Sequence, residues 1–243
     1  MDVLVLAGTT LGRRLVERLV DDGVDVLTSI AGRTRSPRPL PGPTRTGGFG
    51  GVEGLERFLV TEQVRLLVDA THAFASTMHD HAAAACGSLG VPLLRLCQPS
   101  WRPAPGASAW TWVADHDEAA RVVASTTGPV VLTVGRQPAA HYLPIGPREV
   151  VLRCVDPPDE VLPEGWTVRC ERGPFDLDHE RRALAGARVL VSKDSGGADL
   201  DPKLVVARER GIDVVMVSRA PTPSWGDDVG TVEDALAWLA DRQ

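Results

Sequence analysis

Strands and helices alternating along 243 residues predict an α/β protein built from two domains, each with a mostly parallel sheet. Three observations carry this. Short continuous apolar runs, such as residues 3–6 (VLVL), suit strands covered on both faces. Between them, apolar residues recur at helical spacing. The alternation lapses between Asp115 and Pro129, where only a helix is read, and then restarts. Domains are therefore expected at 1–115 and 116–243, with a cleft between them.

In chain order, the strand at 3–6 leads to a helix marked by Leu11, Leu15, Val16, Leu19 and Val20 and closed by Gly23. Strand two is expected at 24–29, a proline- and arginine-rich loop at 35–43, and a helix around Leu55, Phe58 and Leu59. A buried strand follows at 65–69, an alanine-rich helix at 73–89 stopped by Gly90, and strands at 93–96 and 111–113. The second half predicts strands at 130–133, 149–153, 167–170, 188–192 and 213–217. Its helices are expected at 118–125, 178–184, 202–210 and 232–241, with Asp201-Pro202 a good start signal for the third.

Composition bounds the function. The formal net charge of −6 argues against a nucleic-acid surface. No apolar run is long enough to cross a bilayer, and no secretory leader is read. Cys86, Cys97, Cys154 and Cys170 are widely spaced, without a C-x-x-C pair, so a reducing cytoplasm is expected and a structural zinc is not. All but two of the 26 basic residues are arginine; Lys193 and Lys203 flank one Gly-Gly loop.

Chemistry is expected at the strand ends. Gly8-Thr9-Thr10 joins a buried strand to a helix, where backbone N–H groups and the helix dipole favour a phosphate, and threonine hydroxyls can add to them. The same turn is also a common capped strand–helix junction. Strand two ends Thr28-Ser29-Ile30 with no carboxylate for a ribose 2′-hydroxyl, and Arg33 and Thr34 follow; this favours NADP over NAD. Gly47-Gly48-Phe49-Gly50-Gly51 lets backbone approach a flat ligand, with Phe49 packing on it. Asp69-Ala70-Thr71-His72 closes another strand, though Asp69 and Thr71 also suit helix caps. His79 and His81, two apart on a helix, face different ways, so no metal site is expected. In the second half, Arg136, Arg172 and Lys193 stand at three strand ends, and Lys203 opens the next helix: a rim for a ligand with several carboxylates or phosphates. No catalytic nucleophile motif is present, which fits cofactor-borne chemistry.

These stretches, together with Ala31-Gly32-Arg33-Thr34, Thr133-Val134-Gly135-Arg136, Arg172-Gly173-Pro174-Phe175 and Lys193-Asp194-Ser195-Gly196-Gly197, resemble in order the precorrin-6A reductase family of cobalamin (vitamin B12) biosynthesis. Ala73 and Ala220 stand where that family usually has proline, and Val206-Ala207 where two alanines are usual. The resemblance implies two Rossmann-like domains with NADPH in the cleft, and reduction of a carbon–carbon double bond of precorrin-6A to give precorrin-6B. Gly8, Thr9 and Thr10 would hold phosphates, Arg33 and Thr34 the 2′-phosphate. Gly48, Phe49, Gly50, Thr71 and His72 would flank the nicotinamide. Arg136, Arg172, Lys193, Ser195 and Lys203 would grip the acetates and propionates of the tetrapyrrole substrate. The proton comes from a ring nitrogen of the macrocycle, or from His72 or Lys193. Transient contact with neighbouring pathway enzymes fits this setting. Competing readings are a non-catalytic NADP-binding regulator, a nucleotide-sugar glycosyltransferase, and a cobalt-precorrin-6A reductase using NADH.

Overall fold

The computed structural model describes residues 1–32 and 39–242. Its chain divides into two compact units, 1–99 with 220–243, and 100–219. The expected cut at residue 115 is corrected on two counts. The strand at 111–113 belongs to the second unit, and the C-terminal strand and helix return to the first.

In the first unit, β1 (Val3–Ala7), β2 (Val26–Ile30), β3 (Thr44–Thr46), β4 (Leu66–Ala70), β5 (Leu93–Leu96) and β12 (Asp227–Val229) form one sheet, ordered β12-β5-β4-β1-β2-β3. Every pairing is parallel. All five residues of β1 are buried because both faces are covered. Val3 and Val5 pack with Leu15, Val16 and Leu19 of α1 (Thr10–Asp21) and with Ala235 and Leu239 of α8 (Val232–Ala240). Leu4 and Leu6, on the opposite face, pack with Leu55 and Leu59 of α2 (Val52–Thr61) and Ala82, Ala85 and Cys86 of α3 (Ser76–Leu89). That is the period-two division of a strand between two helical layers. The last strand is fastened by Arg95 of β5. Its guanidinium donates to Asp228 at 2.7 and 3.2 Å and to the carbonyls of Trp225 and Gly226.

The second unit repeats the plan. β6 (Thr111–Val113), β7 (Val130–Leu132), β8 (Val150–Cys154), β9 (Trp166–Cys170), β10 (Val189–Lys193) and β11 (Asp213–Val217) are ordered β6-β11-β10-β7-β8-β9, again all parallel. Around it lie α4 (His116–Ala124), α5 (Ala139–Tyr142), α6 (Leu177–Ala183) and α7 (Pro202–Arg210). Each sheet thus follows the 3-2-1-4-5-6 plan of dinucleotide-binding folds. The sixth strand of each comes from the stretch of sequence that would complete the other. Both chain crossings between the units are tied to Asp194, just beyond β10. Its buried carboxylate accepts from Ser100 Oγ (2.6 Å) and Trp101 N–H (3.0 Å) and pairs with Arg219 (3.4 Å).

Candidate active site

An open parallel sheet binds ligands where strand order reverses, at the carboxyl ends. In the first unit this point lies between β1 and β4, and the sequence places Gly8-Thr9-Thr10 and Thr71-His72 at those two ends. The structure brings them together. A Cβ on Gly8 would sit 3.4 Å from Thr71 Cα and 3.6 Å from His72 N, so glycine keeps the backbones close. Gly12 does the same for the helix: its Cβ would meet Ala70 Cβ at 2.9 Å.

Thr9 caps α1, but its hydroxyl is already committed. It donates to Ala70 O at 3.0 Å and accepts from Gly12 N–H at 3.0 Å. The expectation that it adds a bond to a phosphate is corrected: Thr9 locks the turn. Gly8 and Thr10 are exposed, and the first-turn N–H groups of Thr10 and Leu11 have no carbonyl behind them within the helix. The turn therefore fits a phosphate through backbone donors.

Behind Thr71 lies a pair that its members' separation in sequence hides. Asp69, fully buried in β4, accepts from Thr71 N–H (3.0 Å), Thr71 Oγ1 (2.7 Å) and His79 Nδ1 (2.6 Å). Burial works against charge on His79, yet the bond and the negative charge of Asp69 outweigh it and raise its pKa. His79 is thus an ion-pair partner on α3. No cluster suited to a metal occurs among the described residues. His72 Nδ1 accepts Phe74 N–H at 3.2 Å, so in the neutral ring the proton sits on Nε2.

The glycine-rich loop follows β3, three strand spacings from β4, or about 14 Å. Phe49 is not wholly given over to a ligand: it packs at the margin of the core cluster that includes Leu6, Leu55 and Leu67. Nor is Phe49 open for a ligand on all sides: Phe58 meets its ring edge-on at 5.2 Å and Arg45 lies over one face at 4.0 Å. Arg33 and Thr34 lie outside the described residues.

The second sheet reverses between β7 and β10. Thr133 donates to Val191 O at 2.9 Å, as Thr9 does to Ala70 O in the first sheet. Arg136 follows β7, Lys193 ends β10 and Arg172 follows β9, so parallel pairing sets all three at one sheet edge. Lys193 is half-buried, and burial, then the charge of Lys203, lowers its pKa to about 8. Ser195 forms a tight turn on Lys193, its N–H 2.7 Å from the Lys193 carbonyl. Lys203 is already paired, 2.7 Å from Asp201, and lies against the Trp101 ring, so it enters the rim as an ion-paired cation.

Two further groups here escaped sequence reasoning. His116 Nδ1 lies 2.8 Å from the buried Tyr142 hydroxyl; burial, then the Lys193 and His141 charges, hold its pKa down at about 4. Buried Arg153 of β8 clamps Glu180 at 2.6 and 2.8 Å, also bonds Glu171, and lies over the Phe175 ring. His179 stacks on that ring at 4.4 Å. This cluster holds the 171–175 loop that carries Arg172.

Residues 2–240 match the family described as precorrin-6x reductase CbiJ/CobK. The chain belongs to the precorrin-6x reductase family. It is 39% identical over 240 residues to the precorrin-6A reductase of Rhodococcus erythropolis, covering 98% of this chain and 96% of that one. With the Sinorhizobium sp. precorrin-6A reductase it shares 41% over 248 residues, covering 98% and 94%. A solved CobK precorrin-6A reductase superposes with a TM-score of 0.89 at 37% identity, covering 100% of this chain and 97% of that one. Membership makes the chain a reductase, and the shared fold confirms the α/β architecture expected from strand–helix alternation. No helix among the described residues is long and apolar enough to cross a membrane.

Proposed function

We propose that this reductase uses NADPH to reduce a carbon–carbon double bond of precorrin-6A, giving precorrin-6B in cobalamin biosynthesis. The observation that carries the reading is the close seat of Gly8 against Thr71 and His72 at the reversal point of a dinucleotide-type sheet, in a chain about 40% identical to named precorrin-6A reductases. Relatives named cobalt-precorrin-6A reductase are more distant, at 26% and 27%, which favours the metal-free substrate.

The exposed Gly8 and the first-turn N–H groups of Thr10 and Leu11 would hold the pyrophosphate, with Arg33 and Thr34 toward the 2′-phosphate. Thr71 and His72 would stand on the nicotinamide side. Bound there, the reduced cofactor supplies a hydride. Arg136, Arg172, Lys193 and Ser195 would hold the substrate's carboxylates, and fixed cations at developing charge account for much of the acceleration. Lys193 is the better protein proton donor: its lowered pKa puts exchange near neutrality, whereas His72 already accepts a hydrogen bond at Nδ1. The purified protein should oxidise NADPH only when precorrin-6A is present, and NADH much more slowly. Equal rates with both cofactors would remove the NADPH assignment; cofactor binding without turnover would favour a regulator.

A further inference from the structure

Arg45, the middle residue of β3, lies just past the expected 35–43 loop, where the sequence predicts no element, yet it is firmly held. It pairs in register with Ser29 of β2. Its Nη1 donates to Ser29 Oγ at 2.7 Å and to Gly47 O at 3.1 Å, and its Nη2 to Gly48 O at 3.0 Å. One face lies on Phe49, 4.0 Å from the ring centroid, with Phe58 at 5.2 Å.

Every one of these partners is neutral. Arg95, Arg153 and Arg181 each have a carboxylate. Arg45 has none among the described residues, and partial burial lowers its pKa with no counter-charge acting the other way. Two successive carbonyls occupy the Nη1–Nη2 edge of the guanidinium, and Ser29 takes the other Nη1 hydrogen. The Nε–H and the second Nη2 N–H remain side by side, a fork that matches a phosphate.

Its place in the fold decides which phosphate. Ser29 stands near the carboxyl end of β2, where dinucleotide folds read the 2′ position of the adenosine ribose. We infer that Arg45 binds the 2′-phosphate of NADP(H) and sets the preference for the phosphorylated cofactor, with the Gly47–Gly48 carbonyls and Phe49 serving to aim it. This rests on the nicotinamide cofactor proposed above.

The test is binding, not turnover. Adenosine 2′,5′-bisphosphate and adenosine 5′-monophosphate, then NADPH and NADH, are titrated by calorimetry against wild type and Arg45→Gln. The variant should bind the bisphosphate and NADPH roughly ten- to a hundredfold more weakly and leave the monophosphate and NADH nearly unchanged. Equal weakening of all four ligands would mean that Arg45 only shapes the loop, and would overturn the inference. So would a variant that discriminates as well as wild type. A wild type that binds bisphosphate and monophosphate alike would overturn the NADPH reading itself, and Arg45's role with it. Should Arg45→Gln not fold, Arg45→Lys keeps the charge but loses the fork; a partial loss confined to the phosphorylated ligands is expected, and none refutes.

Discussion

Replacing Asp69 with alanine should unfasten the segment after β4. The carboxylate is fully buried and accepts three hydrogens, two from Thr71 and one from His79. Bonds to a charged acceptor contribute about 1.5–3 kcal/mol each but do not add, and breaking a buried ionic pair costs about 3–5 kcal/mol. A loss of about 3–4 kcal/mol is expected, which for a chain of this size lowers Tm by about 10 °C. The loss should depend on pH with a defined sign. The folded pKa of His79 is raised above its ordinary value of 6.5, so its protonated form adds stability that is fully present below pH 6.5. That part disappears as pH rises through the raised folded pKa. The Tm gap between wild type and Asp69→Ala should therefore narrow toward alkaline pH. Asp69→Asn, which keeps the shape but not the charge, should show little of this slope. Thermal melts across pH would test it. A gap below about 1 kcal/mol, or one flat with pH, would refute the idea that a buried ion pair orders Thr71.

Other consequences can be measured separately. With Lys193 titrating near pH 8, kcat/KM for the tetrapyrrole should fall above that pH. Lys203→Gln, by removing the neighbouring charge, should move the limb to higher pH, and Lys193→Arg should abolish it; a limb unmoved in both variants would exclude Lys193 as its source. Gly12→Ala would ordinarily stabilise a helix by up to about 1 kcal/mol. Here the new Cβ meets Ala70 at 2.9 Å, so a loss of about 1–3 kcal/mol is expected in denaturant melts, and a gain would show that α1 can shift freely. Arg153→Met strands Glu180 and should cost about 3–5 kcal/mol, with KM for the substrate rising as the Arg172 loop loosens. Adding Glu180→Met should recover stability but not KM; recovery of both would deny the cluster a positioning role.

Where burial was continuous, the fold was legible. Residues 3–6 and 65–69 read as strands because both faces are covered, and the real strands lie within a residue of those bounds. Thr44–Thr46 and Asp227–Val229 escaped because Thr44-Arg45-Thr46 offers no apolar side chain and paired aspartates oppose strand propensity. Exchange of the sixth strands escaped for a different reason. Local pattern identifies a strand, but partner choice lies in contacts such as Arg95 with Asp228, 133 residues apart. At the site, the glycine turn and the basic strand ends were legible because fold rules fix where they must stand. The commitments of individual side chains were not. Thr9 turned inward, Lys203 took Asp201, and Arg45 was hidden among other arginines.

The central claim is that this chain moves hydride from a phosphorylated nicotinamide to a carbon of precorrin-6A. NADPH carrying deuterium at both C4 positions of the nicotinamide, reacted with precorrin-6A in a single turnover, should yield a product carrying one deuterium on carbon by mass spectrometry. Product that acquires hydrogen only from solvent would contradict it.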